Sequence, residues 1–305
     1  MNAAHPQPLP APRPEKRGLL ARGRQFARKL RRDRSGMALI EFAFTLPLFT
    51  GLGFYGIEIS NLAITQMKMS QIALNMADNA SRIGTLNANL GAKVISEQQI
   101  NDVFQAAALQ AGAAGLYQDG RTILSSLELN ANGGQTIMWQ RCKGMDFEDS
   151  NYGAQGTGAT GTSFQGMGPS GDKIQATSGT AVMFVELHYT YHPLFGSMFM
   201  EDRELYQEAA YTVRDSREIG KEPGNNVSAS RKSTCDKYDA ILPQTSDADI
   251  AAAQAALAAG GGDGDDDDDD DDDDEDEGLP GYSGGNNPTN PDKGLCVAGL
   301  ICTKT

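Results

Sequence analysis

The sequence is poor in the residue types on which most catalytic and metal sites are built. It contains three histidines and one tryptophan in 305 residues, and it has neither an H-E-x-x-H motif nor a P-loop. His188 and His192 share one face of a predicted strand, but their Cα atoms are separated by roughly 13 Å, too far for one ion. We therefore expect no enzymatic activity, no cofactor and no metal site.

A second long apolar run is also lacking, which limits the chain to one predicted membrane crossing. Between Met37 and Ile57 the polar residues are Glu41, Thr45 and Thr50. A helix of about 20 residues rises about 30 Å, enough to cross the hydrocarbon core. A cleaved secretory signal is the competing interpretation, but its apolar region is normally about 7–15 residues long, and no clear A-x-A site follows this run.

The charge is unevenly distributed along the chain. Residues 1–36 carry ten Lys or Arg and two Asp or Glu, whereas the remainder carries 16 and 38. The positive-inside rule places the basic end in the cytoplasm and the large C-terminal part outside. The acidic bulk would repel nucleic acid, so we expect no nucleic-acid partner. The pair Arg31-Arg32 also permits a twin-arginine signal, although the following "DRSG" fits one poorly.

A glutamate lies close to the start of the apolar run, where a charge is costly. The basic leader ends in Ser35-Gly36, and Glu41 is the fifth residue after that glycine. An intramembrane acid usually has a specific partner, the alternative being a carboxylate that snorkels to the interface. The stretch "GMALIEFAFTLP" resembles the processing site of type IV prepilins. It is most similar to that of the TadE/TadG-like minor pseudopilins of the tight-adherence (Flp, type IVb) pilus.

This resemblance implies a role for each residue of the motif. A prepilin peptidase would cut after Gly36 and leave Met37 with a free α-ammonium. The carboxylate of Glu41 on a neighbouring subunit would pair with that ammonium, next to Phe42 in the assembly contact. In a low-dielectric layer such pairing offsets the burial of both charges.

The resemblance also implies a location and a set of partners. The chain would be a non-enzymatic, single-pass subunit of the bacterial inner membrane, with its C-terminal domain in the periplasm or in the pilus. Its partners would be the prepilin peptidase, other pilins and pseudopilins, the inner-membrane assembly platform and membrane lipid. An uncleaved, membrane-anchored extracytoplasmic binding module is the alternative. An anchored enzyme is the third function considered, and no sequence feature favours it.

Helical periodicity extends beyond the apolar run. Apolar residues recur at spacings of three to seven, so we predict one helix over about 38–83 that ends at Gly84. Ser96 with Gln99 is a capping-box signature and predicts the start of a second helix. That helix should end within the glycine-containing stretch 112–115.

Strand patterns follow the two helices. "RTILSSLELN" and "QTIMWQRC" flank "ANGG" and predict a hairpin, and "AVMFVELHYTYHP" alternates and should pair with "ELYQEAAYTV". The Gly-, Ser- and Thr-rich stretch 144–171 is typical of a long surface loop. We therefore predict an α+β fold, in which a long N-terminal transmembrane helix carries a small extracytoplasmic antiparallel β domain.

Four cysteines, Cys142, Cys235, Cys296 and Cys302, lie on the predicted outer side, where disulfides persist. Their spacing is not C-x-x-C, which argues against a zinc or redox motif. Three pairings are allowed. We favour Cys142 with Cys235 and Cys296 with Cys302, because the last two are close in sequence; free buried thiols are the alternative.

The predicted organisation has four parts: a basic cytoplasmic leader (1–36), a transmembrane and stalk helix (37–84), an extracytoplasmic α+β domain (85–220) and a flexible tail (221–305). The tail contains ten consecutive aspartates, 265–274. Like charges at this density resist collapse, so we expect a disordered spacer. Calcium binding is the alternative, but no EF-hand spacing accompanies the run.

Overall fold

The computed structural model describes residues 35–198 and 200–242, together with isolated positions at 24, 28, 29, 31, 248, 251, 255, 296, 297, 301 and 302. The predicted disordered aspartate run lies outside these residues, as do the side chains of Cys296 and Cys302. The chain divides into two units between Ile57 and Glu58.

The first unit contains the N-terminal part of α1 (Ser35–Arg82), the longest helix among the described residues. Its apolar side chains are exposed; Leu39 is 71% exposed and Phe44 78%. An 18-residue window of α1 has a mean hydropathy of 1.6 and buries none of its residues. Within the described residues, α1 is thus the one helix that is long and apolar enough to span a membrane. It begins three residues before the predicted start at 38.

The second unit begins with the remainder of α1, which stops at Arg82. Gly84 follows with a φ of +126°, a conformation that favours glycine, so the predicted end is confirmed. After a short hairpin of β1 (Thr85–Asn87) and β2 (Ala92–Val94) comes α2 (Glu97–Ala111).

The predicted capping box of α2 is confirmed. The Gln99 backbone N–H donates to Ser96 Oγ at 3.4 Å, and the Ser96 N–H donates to Gln99 Oε1 at 3.1 Å. These bonds satisfy backbone donors that the first turn of a helix otherwise leaves unpaired. A 3-10 turn, Gly112–Ala114, ends the helix within the predicted stretch.

An antiparallel sheet forms the centre of this unit. Its four long strands are ordered β6-β5-β3-β4, so that β6 lies at an edge. Their bounds are β3 (Gly120–Leu129), β4 (Gln135–Gly144), β5 (Val182–Tyr191) and β6 (Arg203–Thr212). Beyond β4 follow the two-residue strands β7 (Tyr238–Asp239), β9 (Ile301–Cys302) and β8 (Cys296–Val297). Two further 3-10 turns are Gly196–Met198 and Ala229–Arg231. The predicted hairpin and the predicted β5–β6 pairing are confirmed.

One face of the sheet packs against the two helices. The alternation in β5 places Val185, Leu187, Tyr189 and Tyr191 on this face, as predicted. They share a buried cluster with residues of α1, α2 and β4, including Met69, Ile72, Met76, Ile100, Phe104 and Trp139. Removal of this apolar surface from water drives the packing.

The other face of the sheet is also buried, under the segment between β4 and β5 (residues 145–181, the covering segment). Met167 is fully buried there and packs with Leu127, Val182 and Phe184 of the strands. Most of the stretch 144–171 is exposed or half-buried, as expected of a surface loop, whereas residues 144–145 at its start and 166–168 near its end are buried. Apolar side chains on the second face need cover, and irregular, glycine-rich backbone provides it.

The packed region continues past the boundary predicted at 220, as far as Leu242. Asp239 of β7 forms an ion pair with Lys143 of β4 at 2.9 Å, and Cys235 is joined to Cys142 by a disulfide. The Arg121 guanidinium donates to the carbonyl oxygens of Cys235 and Lys237 at 2.7 and 3.0 Å. These bonds attach the segment to the sheet.

Candidate functional site

The motif residues of the N-terminal region all lie in the first turns of α1. Met37 is 65% exposed and Phe42 58%, and the side chain of Glu41 is also exposed. A Cβ added at Gly36 would meet nothing within 4 Å among the described residues. The fold of this unit therefore does not require a glycine at this position.

Met37 and Glu41 are four residues apart in a continuous helix. Residues at this spacing are neighbours on one helix face, with Cβ atoms about 5–6 Å apart. The backbone nitrogen of Met37 and the carboxylate of Glu41 are therefore about one turn apart along α1. A second helix packed beside this face could meet both groups.

A buried carboxylate, Glu58, joins α1 to the β5–β6 connection in the second unit. Glu58 is fully buried, and its Oε1 accepts a hydrogen bond from the Tyr191 hydroxyl at 2.5 Å. The backbone N–H groups of Leu194 and Phe195 donate to it at 3.2 Å, and Asn61 Nδ2 donates to the Tyr191 oxygen at 2.8 Å. No sequence pattern predicted this site, and its local signal is a carboxylate directly after the apolar run.

A second polar group lies between the sheet and the covering segment. Glu186 of β5 is fully buried and accepts hydrogen bonds from Ser150 Oγ at 2.5 Å and from the Asn151 N–H at 2.8 Å. The Tyr206 hydroxyl lies 3.2 Å from Glu186 Oε1 and 2.5 Å from Glu208 Oε1. Burial raises the pKa of Glu186, and the two donors of the covering segment oppose that rise. The group attaches the covering segment to the strands.

The two histidines of this region have separate partners. His188 is buried, and its Nδ1 lies 3.0 Å from Glu204 Oε1. His192 is more exposed, with its ring nitrogens 3.0 Å from Asp202 and 3.5 Å from Asp119. The structure does not bring these histidines together.

Two further kinds of feature, an open cavity and glycine motifs, resemble binding sites only in part. An open cavity of about 340 Å³ lies between α1 and α2, and its charged lining residues are Arg82 and Asp102. The glycines of 156–161 match G-x-G-x-x-G, but they lie in the covering segment, without the strand–turn–helix context of a dinucleotide site. A G-x-S-x-G match at 281–285 lies outside the described residues.

The predicted disulfide between Cys142 and Cys235 is confirmed, with Cα atoms 4.7 Å apart. It joins β4 to the segment that precedes β7. The second predicted disulfide, between Cys296 and Cys302, involves side chains outside the described part of the structure.

Comparison of the chain with protein-family models, curated proteins and solved structures finds no match.

Proposed function

We propose that this protein is a non-enzymatic, TadE/TadG-like minor pseudopilin subunit of a tight-adherence pilus or a related secretion system. It would be anchored in the bacterial inner membrane by α1, cut after Gly36, and present its α+β domain on the periplasmic side. The observation that carries this proposal is the placement of Gly36 and Glu41 at the start of an exposed apolar helix.

The open surroundings of Gly36 favour a role for this glycine in contact with another protein. Glycine costs up to about 1 kcal/mol relative to alanine, the full cost applying in a helix interior, and Gly36 is the second residue of α1. Because a Cβ at this position would meet nothing within 4 Å of the described residues, internal packing does not account for this cost. Gly51, Gly53 and Gly56 of α1 have the same open surroundings, but Gly36 alone among these glycines directly follows the basic leader, where close approach of a peptidase to the backbone would account for it.

Exposed apolar residues on the second part of α1 support contact with other subunits. Ile64 is 58% exposed, Met67 60% and Leu74 45%. Their spacing of three and seven residues places them on one side of the helix, away from buried residues such as Ile72 and Met76. Such a stripe fits the assembly partners proposed here, other pilins and pseudopilins.

The first test is the mature N-terminus. We expect N-terminal sequencing of the membrane-extracted protein, co-expressed with a prepilin peptidase, to begin at Met37. Gly36→Ala should abolish this processed form, whereas Gly51→Ala, where a Cβ also meets nothing within 4 Å, should leave it unchanged. Recovery of only full-length wild-type chains would contradict the proposal and favour an uncleaved anchored binding module.

The second test concerns Glu41. We expect Glu41→Ala to insert and be cut normally, because removal of a charge makes the span more apolar. Crosslinking to co-expressed pilins should fall at least about tenfold, equivalent to about 1.4 kcal/mol, because the α-ammonium of Met37 loses its partner in a low-dielectric layer.

Thr45→Ala, one turn further along α1, is the matched control and should crosslink as the wild type does. Glu41→Gln should behave like Glu41→Ala if the charge is what matters. Undiminished crosslinking of both Glu41 variants would mean that Glu41 is only a tolerated interfacial residue. N-terminal sequencing of the same samples separates a failure of assembly from a failure of cleavage.

A further inference from the structure

Three potential metal ligands converge on the second face of the sheet. Glu148 comes from the covering segment, His188 from β5 and Glu204 from β6. Each offers one ligand atom, and these atoms all lie within 4.8 Å of one another. The three residues are far apart in sequence, so only the fold brings them together.

The histidine of this group is fixed inside the fold with one ring nitrogen toward the cluster. His188 is 3% exposed, and its Nδ1 lies 3.0 Å from Glu204 Oε1, so Nδ1 is the nitrogen that would bind an ion shared with Glu204. Nε2 lies on the opposite side of the ring, where it is buried with no hydrogen-bond partner among the described residues.

We propose that Glu148, His188 and Glu204 form a Zn²⁺ site. One imidazole nitrogen and two carboxylate oxygens are a ligand set that suits a borderline-soft ion, whereas Ca²⁺ and Mg²⁺ prefer oxygen ligands alone. The two carboxylates balance the charge of the ion. A water completes the fourth position on the solvent side, where the Glu204 side chain is 55% exposed.

The geometry requires a small adjustment. Ligand atoms around a tetrahedral zinc are about 3.4 Å apart, given bonds of about 2.1 Å. The separations between the ligand atoms, all within 4.8 Å, must therefore close by up to about 1.4 Å. His188 Nδ1 and Glu204 Oε1 are already 3.0 Å apart, so the adjustment falls on Glu148, a half-buried residue of the covering segment. Bound zinc would then connect the covering segment to β5 and β6.

The proposal does not rest on pilus assembly and is tested on the full-length protein in detergent. We expect the aspartate run to bind divalent ions weakly, so the assay must separate this binding from binding at the proposed zinc site. Co²⁺ as a probe does this, because a tetrahedral site with a nitrogen ligand gives strong visible absorption bands and loose binding by carboxylates does not. Thermal unfolding with Zn²⁺ is the second measurement.

We expect the wild type to show the tetrahedral Co²⁺ spectrum and to gain about 5–10 °C in Tm at Zn²⁺ a hundredfold above its Kd. His188→Gln and Glu204→Gln should lose both signals. The matched controls are His192→Gln and Glu201→Gln, which replace residues of the same types outside the cluster and should retain them.

The Glu204→Gln variant changes a half-exposed side chain, so it tests the site even if His188→Gln fails to fold. Two results would overturn the proposal. One is the same Co²⁺ spectrum and Tm gain in wild type and Glu204→Gln. The other is an equal Tm gain from Ca²⁺, which would point to the acidic tail or to an oxygen-only site.

Discussion

Glu97→Ala should destabilise the α+β domain by about 3–5 kcal/mol, because it leaves the buried guanidinium of Arg141 without its main counter-charge. Both side chains are nearly inaccessible, at 0% and 2% exposure. Arg141 Nε lies 2.9 Å from Glu97 Oε2, and Arg141 Nη2 lies 2.5 Å from Oε1. Lys232 adds a second cation at 3.3 Å from Glu97. The pair joins the first turn of α2 to β4, so its loss affects helix and sheet together.

Urea unfolding measures this effect, and the chain carries its own probe. Its single tryptophan, Trp139, is 2% exposed in the buried cluster, so its fluorescence reports loss of the core. Lys221→Ala is the control. It breaks the exposed pair with Glu218 and should cost less than about 1 kcal/mol.

A double variant, Glu97→Leu with Arg141→Met, should recover much of the loss, because it leaves no unpaired guanidinium in the core and Lys232 is partly exposed. If Glu97→Ala cost no more than Lys221→Ala, the ion pair would have no structural role.

Removal of the disulfide by Cys142→Ala with Cys235→Ala should cost about 4–5 kcal/mol. The bond joins residues 93 positions apart, and the chain-entropy model gives a stabilisation of this size for such a loop. The segment from 233 to 242 should detach first, because the bond holds it against β4. Trp139 fluorescence in urea is again the measurement.

A reducing agent provides the control for this second variant. It should lower the stability of the wild type to that of the double variant and leave the double variant unchanged. A wild type that keeps its unfolding midpoint after confirmed reduction would show that Arg121 and the Lys143–Asp239 pair hold the segment without the disulfide.

The elements that could be predicted from the sequence are those specified by local patterns. The capping box at Ser96 and the stop at Gly84 depend on a few neighbouring residues, and the alternation in β5 identifies its helix-facing side chains correctly. Periodicity requires no knowledge of the rest of the chain, which explains why these predictions hold.

The parts that could not be predicted depend on residues distant in sequence. Glu58 and Tyr191 are 133 residues apart, and no periodic pattern links them. The covering segment has no period because its role is to fill the surface that the strands leave, and Met167 gives no local sign of burial. The grouping of Glu148 with His188 has the same origin.

The edge position of β6 affects how copies of the chain interact at high local concentration. An edge strand exposes backbone donors and acceptors to which another copy of the chain could add a strand. Here the edge carries Arg203, Glu204 and Glu208, which would meet like charges in many of the registers open to a second β6. Copies brought side by side at high local density, as the proposed membrane anchoring would bring them, are thus discouraged from joining sheet to sheet into fibrils. Contacts between copies are left to other surfaces, such as the apolar stripe of α1.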